Sequence, residues 1–169
     1  ENFKINVIWG GVHPTIAPKQ CLEYADYVCI GEGEIPMVEV TRAISEGRED
    51  DIKQINNIAY LDGNNLVRNQ VYPLISNLDE LPHGDHVPVN SFIQESDGNI
   101  KPLDQKLFAK HSRFKGKIYD VMSSRGCPFS CTYCVNHFLA KLNSGNYIRR
   151  RSIENVMQDI ETAVKDNPD

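Results

Sequence analysis

Apolar and polar positions in the first fifty residues follow the order strand, helix, strand, helix. Residues 3–9 alternate and then become continuously apolar, and residues 27–30 form a second apolar run; both patterns predict strands buried on at least one face. A short helix is expected from Pro18 to Tyr24, and a longer one from Ile35 to Glu46, with Gly47 positioned to cap its end. This order predicts part of a parallel, doubly wound α/β sheet.

The pattern changes after residue 50. Two strand-like runs, 57–61 and 65–69, flank Asp62-Gly63, which is typical of a tight β-hairpin because Gly tolerates the positive φ that such turns require. From residue 73 to about 116 the chain has four prolines and few sustained apolar patterns. We therefore predict a connecting segment there.

A third region begins with a predicted strand at 117–122, which leads directly into a group of cysteines. It closes with a predicted helix from Ser152, whose hydroxyl can cap the first turn. The apolar positions of that helix recur at helical spacing and define one face: Ile153, Val156, Met157, Ile160, Ala163 and Val164. The sequence thus predicts three parts, 1–50, 51–116 and 117–169.

Composition narrows the possible classes. The 169 residues are 40% hydrophobic and 24% charged, as in a globular protein, with a formal net charge of -5. An acidic chain is a poor general binder of nucleic acid, whose affinity depends on neutralising phosphates. No apolar run reaches the roughly 20 residues of a membrane span. Glu1 follows no initiator Met and no signal peptide is visible, so we expect an internal fragment of a longer protein.

Five cysteines are present, and three of them lie within eight positions. An odd number and such tight grouping argue against a disulfide framework and favour a metal site in a reducing, cytoplasmic setting. Cys21 and Cys29 have apolar neighbours and are expected to be buried thiols. Cys127, Cys131 and Cys134 have the spacing C-x-x-x-C-x-x-C, which suits either an iron–sulfur centre or zinc.

The number of ligands distinguishes these two metals. Structural zinc takes four ligands, whereas a cubane cluster held by three thiolates leaves one iron open. His137 is the nearest candidate for a fourth zinc ligand. A zinc site of three cysteines and one histidine therefore stands as the alternative to an iron–sulfur cluster.

The cysteine loop resembles that of the radical S-adenosylmethionine (SAM) superfamily, whose signature is C-x-x-x-C-x-aromatic-C. Cys127, Cys131, Tyr133 and Cys134 match that signature position by position. The resemblance implies that the three cysteines hold a 4Fe-4S cluster, that SAM binds the remaining iron, and that Tyr133 lies on the adenine side of SAM. His137 would then be a helix residue and not a ligand.

Three upstream segments, 10–15, 25–28 and 31–34, are similar to the C-terminal half of the cobalamin-binding domain found in one subgroup of that superfamily. The subgroup includes radical SAM methyltransferases and anaerobic magnesium-protoporphyrin monomethyl ester cyclases. Gly10 and Gly11 match the glycine pair of the cobalamin signature, where the absence of Cβ lets the backbone approach the cofactor. The alternative is that these glycines are ordinary strand-to-helix turns of a doubly wound fold.

The resemblance implies a fold class for each part. Residues 1–50 would be the C-terminal part of a doubly wound, Rossmann-like cobalamin-binding domain, 51–116 a hairpin with a connecting segment, and 117–169 the first strand–helix unit of a partial (β/α) radical SAM barrel. Such a fragment is expected to be inactive by itself.

The implied function of the parent enzyme is reductive cleavage of SAM to a 5′-deoxyadenosyl radical, followed by methyl transfer or oxidative ring cyclisation of a small molecule. Its cofactors would be the 4Fe-4S cluster, SAM and cobalamin, and its electron donor a flavodoxin or ferredoxin. Two alternatives remain open: a zinc-stabilised binding module, and a cobalamin or iron–sulfur protein without radical chemistry.

Overall fold

A computed structural model describes residues 5–84, 90–111, 118–143 and 147–166. The described residues divide into two compact units. The first unit draws on 1–75 and 126–147, and the second on 76–125 and 148–169. The predicted boundaries at residues 50 and 116 rest on changes in the sequence pattern and on the family resemblance, whereas these two units are defined by their compactness. The predicted boundaries therefore stay a prediction.

The strands are short and belong to three sheets. The first unit has a four-stranded sheet with the order β1-β2-β3-β4, and the second unit has two-stranded pairs β5-β6 and β7-β8. Among the described residues, β1 and β2 pair in parallel and the other strand pairs are antiparallel. The strands are β1 (Ile8–Gly10), β2 (Tyr27–Cys29), β3 (Ile58–Asp62), β4 (Asn65–Arg68), β5 (Phe92–Gln94), β6 (Ile100–Pro102), β7 (Ser124–Arg125) and β8 (Arg149–Arg150).

The predicted order of strands and helices in 1–50 is confirmed, but among its described residues the strand predicted at 3–9 begins only at Ile8. Two short 3₁₀ helices are added, Glu49–Gln54 in the first unit and Leu78–Glu80 in the second. The predicted glycine cap is confirmed, because Gly47 follows the third helix with φ +68° and donates its N–H to the Ile44 carbonyl. The α-helices are α1 (Val12–Ile16), α2 (Pro18–Cys21), α3 (Glu34–Ser45), α4 (Gln105–His111), α5 (Asn136–Leu142) and α6 (Ile153–Asp166).

The centre of the first sheet carries a buried core cluster on each face. Successive residues of a strand point to opposite faces, so Val28 and Cys29 enter different core clusters. Val28 packs with Cys21 and Leu22 from the α2 region, and Cys29 packs with Val40 of α3 and Ile52 of the first 3₁₀ helix, among others. The predicted burial of the Cys21 and Cys29 thiols is confirmed. Helical layers on both faces of the sheet confirm the α/β class.

The predicted hairpin is confirmed, but its place in the fold differs from the expected one. Asp62 pairs with Asn65 across the turn, where Gly63 has φ +58°. The sequence pattern assigned this hairpin to the part 51–116, apart from the sheet of residues 1–50. In the structure Ala59 of the hairpin pairs with Val28 of β2. The hairpin therefore extends the first sheet, because the free edge of β2 pairs with β3.

The second unit contains the rest of the predicted connecting segment, and that segment is more regular than expected. Within 76–111, the described residues include a 3₁₀ helix, the β5-β6 pair and α4. Short antiparallel pairs and single helical turns leave weak periodicity in a sequence, which explains why the pattern suggested no elements.

The strand predicted at 117–122 is wrong over its described part. Lys117 lies outside the described residues, and 118–122 are not in a strand. The strand begins two residues later as β7, where Arg125 pairs antiparallel with Arg149 of β8. Backbone partners, and not the apolar run itself, decide where a strand forms.

The predicted helix after Ser152 is confirmed as α6, and the Asn155 N–H donates to the Ser152 hydroxyl at 3.1 Å. Within the described part of the chain, no helix combines the length and apolar character needed to cross a bilayer.

Candidate functional site

The loop with the three predicted ligand cysteines belongs to the first unit and lies between β7 and α5. Gly126 opens it with φ +94°, a left-handed conformation that suits glycine. At its end the Cys134 N–H donates to the Cys131 carbonyl at 3.0 Å, which closes a tight turn between two of the thiols. Cys131 is exposed, and Cys127 and Cys134 are half-buried.

The donor chemistry of this loop suits a soft metal centre. All five cysteines are unpaired, and the two outside the loop are buried in the core, so the loop holds every accessible thiol of the chain. Thiolates are the usual ligands of iron–sulfur clusters and of structural zinc. Among the described residues, no three Cys, His, Asp or Glu side chains are arranged to hold a metal ion. The ligand role of the three cysteines therefore stays a prediction.

Two neighbours of the cysteines differ in their contacts. His137 lies in α5, and its Nδ1 lies 2.5 Å from the Cys134 carbonyl oxygen, so one ring nitrogen is used by the backbone at the start of that helix. This contact agrees with the expectation of a helix residue. Tyr133 is 91% exposed, and its predicted place beside adenine stays a prediction.

Helix α5 attaches the cysteine loop to the core of the first unit. Its last residue, Leu142, packs against the cluster that contains Val28, Ile30 and Ala59. A Cβ built on Gly31 would lie 4.0 Å from the Leu142 side chain. The helix that follows the cysteines therefore packs beside the turn that follows β2.

A second group of predicted site residues lies where β1 and β2 end. These strands are parallel, with Gly10 opposite Cys29, so the turns that follow them meet at one edge of the sheet, which is where ligands bind in open α/β folds. Gly11 has φ +107°, and a Cβ built on it would meet nothing within 4 Å. Gly11 is therefore required by its backbone conformation, and the exposed backbone beside it is open to a ligand.

Gly10 has a weaker requirement. A Cβ built on Gly10 would lie 3.6 Å from the Cβ of Cys29, which is an ordinary van der Waals contact, and its φ is not in the left-handed region. The two glycines of the predicted pair therefore differ: Gly11 shapes the turn, whereas Gly10 leaves the backbone uncovered.

Sequence reasoning missed two polar residues at this edge. Thr15 is 3% exposed; its hydroxyl donates to the Gly11 carbonyl at 2.7 Å and accepts the Gly31 N–H at 3.0 Å. Thr15 thus joins the turn after β1 to the turn after β2. Its position four residues after Gly11 on a helical turn is the only sequence signal that could have suggested the first of these bonds.

Asn57 is the second missed residue. It is 1% exposed and has φ +65°. Its amide nitrogen donates to the carbonyls of Ile30 at 2.7 Å and Glu32 at 3.2 Å, and its amide oxygen accepts the Tyr72 N–H at 2.7 Å. Asn57 therefore holds both sides of Gly31 from within the core.

The buried thiol of Cys29, at the end of β2, has low reactivity. Burial, helped by the negative charge of Glu34, raises the pKa of Cys29 to about 11, because desolvation penalises the thiolate. Cys29 is therefore protonated at neutral pH and is unsuited to bind a metal or act as a nucleophile.

Comparison of the chain with known proteins finds relatives by sequence and a neighbour by structure. No model of a protein family matches the chain. The chain is 32% identical over 163 residues to an uncharacterized methyltransferase of Pyrococcus horikoshii, and this match covers 94% of the chain and 30% of the relative. It is 26% identical over 132 residues to the anaerobic magnesium-protoporphyrin IX monomethyl ester cyclase of Cereibacter sphaeroides, covering 75% of the chain and 19% of the relative.

A solved structure shares the fold. The radical S-adenosylmethionine methyltransferase TsrM from Kitasatospora setae, with cobalamin and a 4Fe-4S cluster bound, superposes with a TM-score of 0.60 at 21% identity over 96% of the chain and 29% of that protein. The resemblance stated from the cysteine loop and the upstream segments is confirmed: the sequence relatives are named as a methyltransferase and an anaerobic cyclase, and the solved structure with this fold is a radical SAM methyltransferase with cobalamin bound. The chain spans between a fifth and a third of the length of these proteins.

Proposed function

We propose that the chain is part of a radical SAM iron–sulfur enzyme in which Cys127, Cys131 and Cys134 hold a 4Fe-4S cluster. The observation that carries this proposal is the grouping of every accessible thiol on one loop, since Cys21 and Cys29 are buried. Three thiolates leave one iron of such a cluster available to SAM. When bound and reduced by one electron from an external donor, the cluster would pass that electron to SAM, whose S–C5′ bond would break to give methionine and a 5′-deoxyadenosyl radical able to take a hydrogen atom from the substrate.

The residues of the loop have separate roles in this proposal. The turn closed between Cys131 and Cys134 limits the distance between two of the thiols, which prepares them to bind one centre. Exposed Tyr133 offers an aromatic face to the adenine of SAM. Helix α5 fixes the end of the loop through Leu142, so that the cysteines are held by a rigid element.

Gly10 and Gly11 are proposed as the contact with cobalamin. The exposed backbone at the ends of two parallel strands, with Gly11 at positive φ, supports this role. Relatives named as methyltransferase and cyclase support cobalamin-dependent methyl transfer or oxidative ring cyclisation of a small molecule by the full-length enzyme. A flavodoxin or ferredoxin as electron donor and a cytoplasmic location belong to the same proposal, because unpaired thiols and a reducible cluster require a reducing compartment.

Anaerobic reconstitution of the full-length protein with iron and sulfide tests the cluster. We expect a brown protein whose iron and sulfide match a 4Fe-4S cluster, with an electron paramagnetic resonance spectrum that changes when SAM is added. Alanine at all three of Cys127, Cys131 and Cys134 should abolish iron binding. Cys21→Ala is the matched control, because it removes a thiol that is 1% exposed and outside the loop.

Other outcomes would favour the alternatives. Stoichiometric zinc without a response to SAM would support a zinc-stabilised module and contradict the proposal. A cluster that exchanges electrons but never cleaves SAM would support an iron–sulfur protein without radical chemistry.

A further inference from the structure

We propose that Thr15 is a positioning residue that fixes the distance between the turn after β1 and the turn after β2, and thereby shapes the backbone surface that receives cobalamin. The inference rests on the proposed function, because it concerns the same edge of the sheet. It goes further by assigning this role to a side chain that does not itself contact the cofactor.

The geometry of the hydroxyl is the first argument. One oxygen atom donates to the Gly11 carbonyl at 2.7 Å and accepts the Gly31 N–H at 3.0 Å. Thr15 is 3% exposed, so water cannot readily replace either bond, and a buried N–H left without a partner is costly. The hydroxyl therefore sets the separation of two backbone groups that belong to different turns.

The conformation of the two turns is the second argument. Gly11 and Gly31 have φ of +107° and +78°, and neither turn contributes residues to the sheet at these positions. The Gly11 carbonyl also accepts the Thr15 N–H at 3.2 Å, so Thr15 is tied to the Gly11 turn through its backbone as well as its hydroxyl, and the bond from the Gly31 N–H to that hydroxyl links the two turns. The residues on both sides of Gly31 are already held by Asn57, which donates to the Ile30 and Glu32 carbonyls. Because Asn57 fixes Gly31 from within the core, the hydrogen bonds of the Thr15 hydroxyl to Gly31 and Gly11 also fix the position of the Gly11 turn.

The chain offers a control for the hydroxyl itself. Thr41 donates its hydroxyl to the Met37 carbonyl at 2.7 Å within α3 and is exposed. Thr41 thus makes the same bond to the residue four positions earlier as Thr15 does, but its hydroxyl bridges to no second turn. Replacement of Thr by Val keeps the shape and removes the hydroxyl at both positions.

The experiment titrates the full-length protein with hydroxocobalamin and follows the absorption spectrum of the bound corrinoid and the quenching of tryptophan fluorescence. Thr15→Val should weaken binding about tenfold, the effect expected when one buried hydrogen bond is lost, and should alter the spectrum of the bound form. Thr15→Ser keeps the hydroxyl and should bind within about threefold of the unaltered protein. Thr41→Val should bind as the unaltered protein does.

Thermal unfolding without cobalamin separates positioning from simple stabilisation. If Thr15 only stabilised the fold, Thr15→Val would lower the melting temperature and leave the affinity of the folded protein unchanged, and this result would overturn the inference. If Thr15→Val does not fold, Thr15→Ala provides the same comparison, because it also removes the hydroxyl and its smaller side chain introduces no steric clash.

The two proposals fail in different ways. Binding of cobalamin with equal affinity by the unaltered protein and by Thr15→Val, or by Thr15→Ala in its place, overturns the inference and leaves the proposed function intact. No binding by the unaltered protein overturns the cobalamin part of the proposed function, and this inference with it.

Discussion

Replacement of Asn57 should destabilise the first unit more than replacement of any exposed asparagine. The side chain makes three hydrogen bonds to the backbone from a position that is 1% exposed. At about 1 kcal/mol for each bond, their loss is worth about 3 kcal/mol. In Asn57→Ala the φ of +65° adds about 1 kcal/mol, because a Cβ without a compensating local hydrogen bond disfavours the left-handed region.

Asn57→Gly isolates the hydrogen bonds from the backbone conformation. Glycine adopts the positive φ without strain, so this variant should lose about 3 kcal/mol, or about 1 kcal/mol less than Asn57→Ala. Against a typical total stability of about 5–15 kcal/mol, both losses are large.

Urea unfolding followed by tryptophan fluorescence measures these losses. Trp9 is the single tryptophan and lies in the first unit, so its signal reports on that unit. Asn64→Ala is the control, because Asn64 is exposed in the hairpin turn and its replacement should change stability by less than about 0.5 kcal/mol. A loss below about 1 kcal/mol for Asn57→Ala, or equal losses for Ala and Gly, would refute the reasoning.

Three further predictions follow from local features. Cys29, whose pKa is raised to about 11 by burial, should resist iodoacetamide at pH 8 in the cluster-free protein while exposed Cys131 is alkylated, and equal labelling by mass spectrometry would contradict its burial. Hydrogen bonds from Lys101 and Lys110 lower the pKa of Glu95 to about 2, so its stabilising contribution should be full above about pH 4.5 and lost as pH falls through about 2; a carboxyl NMR titration with a midpoint near 4.5 would disprove this. Gly47→Ala should lower the free energy of unfolding in urea by about 1 kcal/mol, because Gly47 has φ +68°. An unchanged free energy of unfolding would contradict this prediction and show that the end of α3 changes conformation to accept alanine.

Features encoded in neighbouring residues could be predicted from the sequence. The turn at Gly63, the glycine after α3 and the serine before α6 each satisfy a requirement set within a few residues, which is why they were identified correctly. The spacing of Cys127, Cys131 and Cys134 is also local, and it was sufficient to indicate the class of protein that the comparisons confirm.

Features that depend on distant partners could not be predicted in the same way. The apolar run at 118–122 looks like a strand, yet pairing begins only at Ser124, because β8 supplies its partner there. Arg149 lies in a run of three arginines, yet in the structure it is 6% exposed and pairs with Arg125 of β7, neither of which a local pattern specifies.

The sequence by itself determined the caps and the turns, since each depends on side chains and φ angles close together in the chain, and it predicted the ligand role of the three loop cysteines from their spacing. Only the tertiary structure decided that the hairpin extends the first sheet and that Thr15 and Asn57 hold the Gly31 turn. The physical reason is that a buried hydrogen bond requires both a donor and an acceptor, and here the partners lie 16 and 27 positions apart. No local pattern specifies such a pair until the chain has folded.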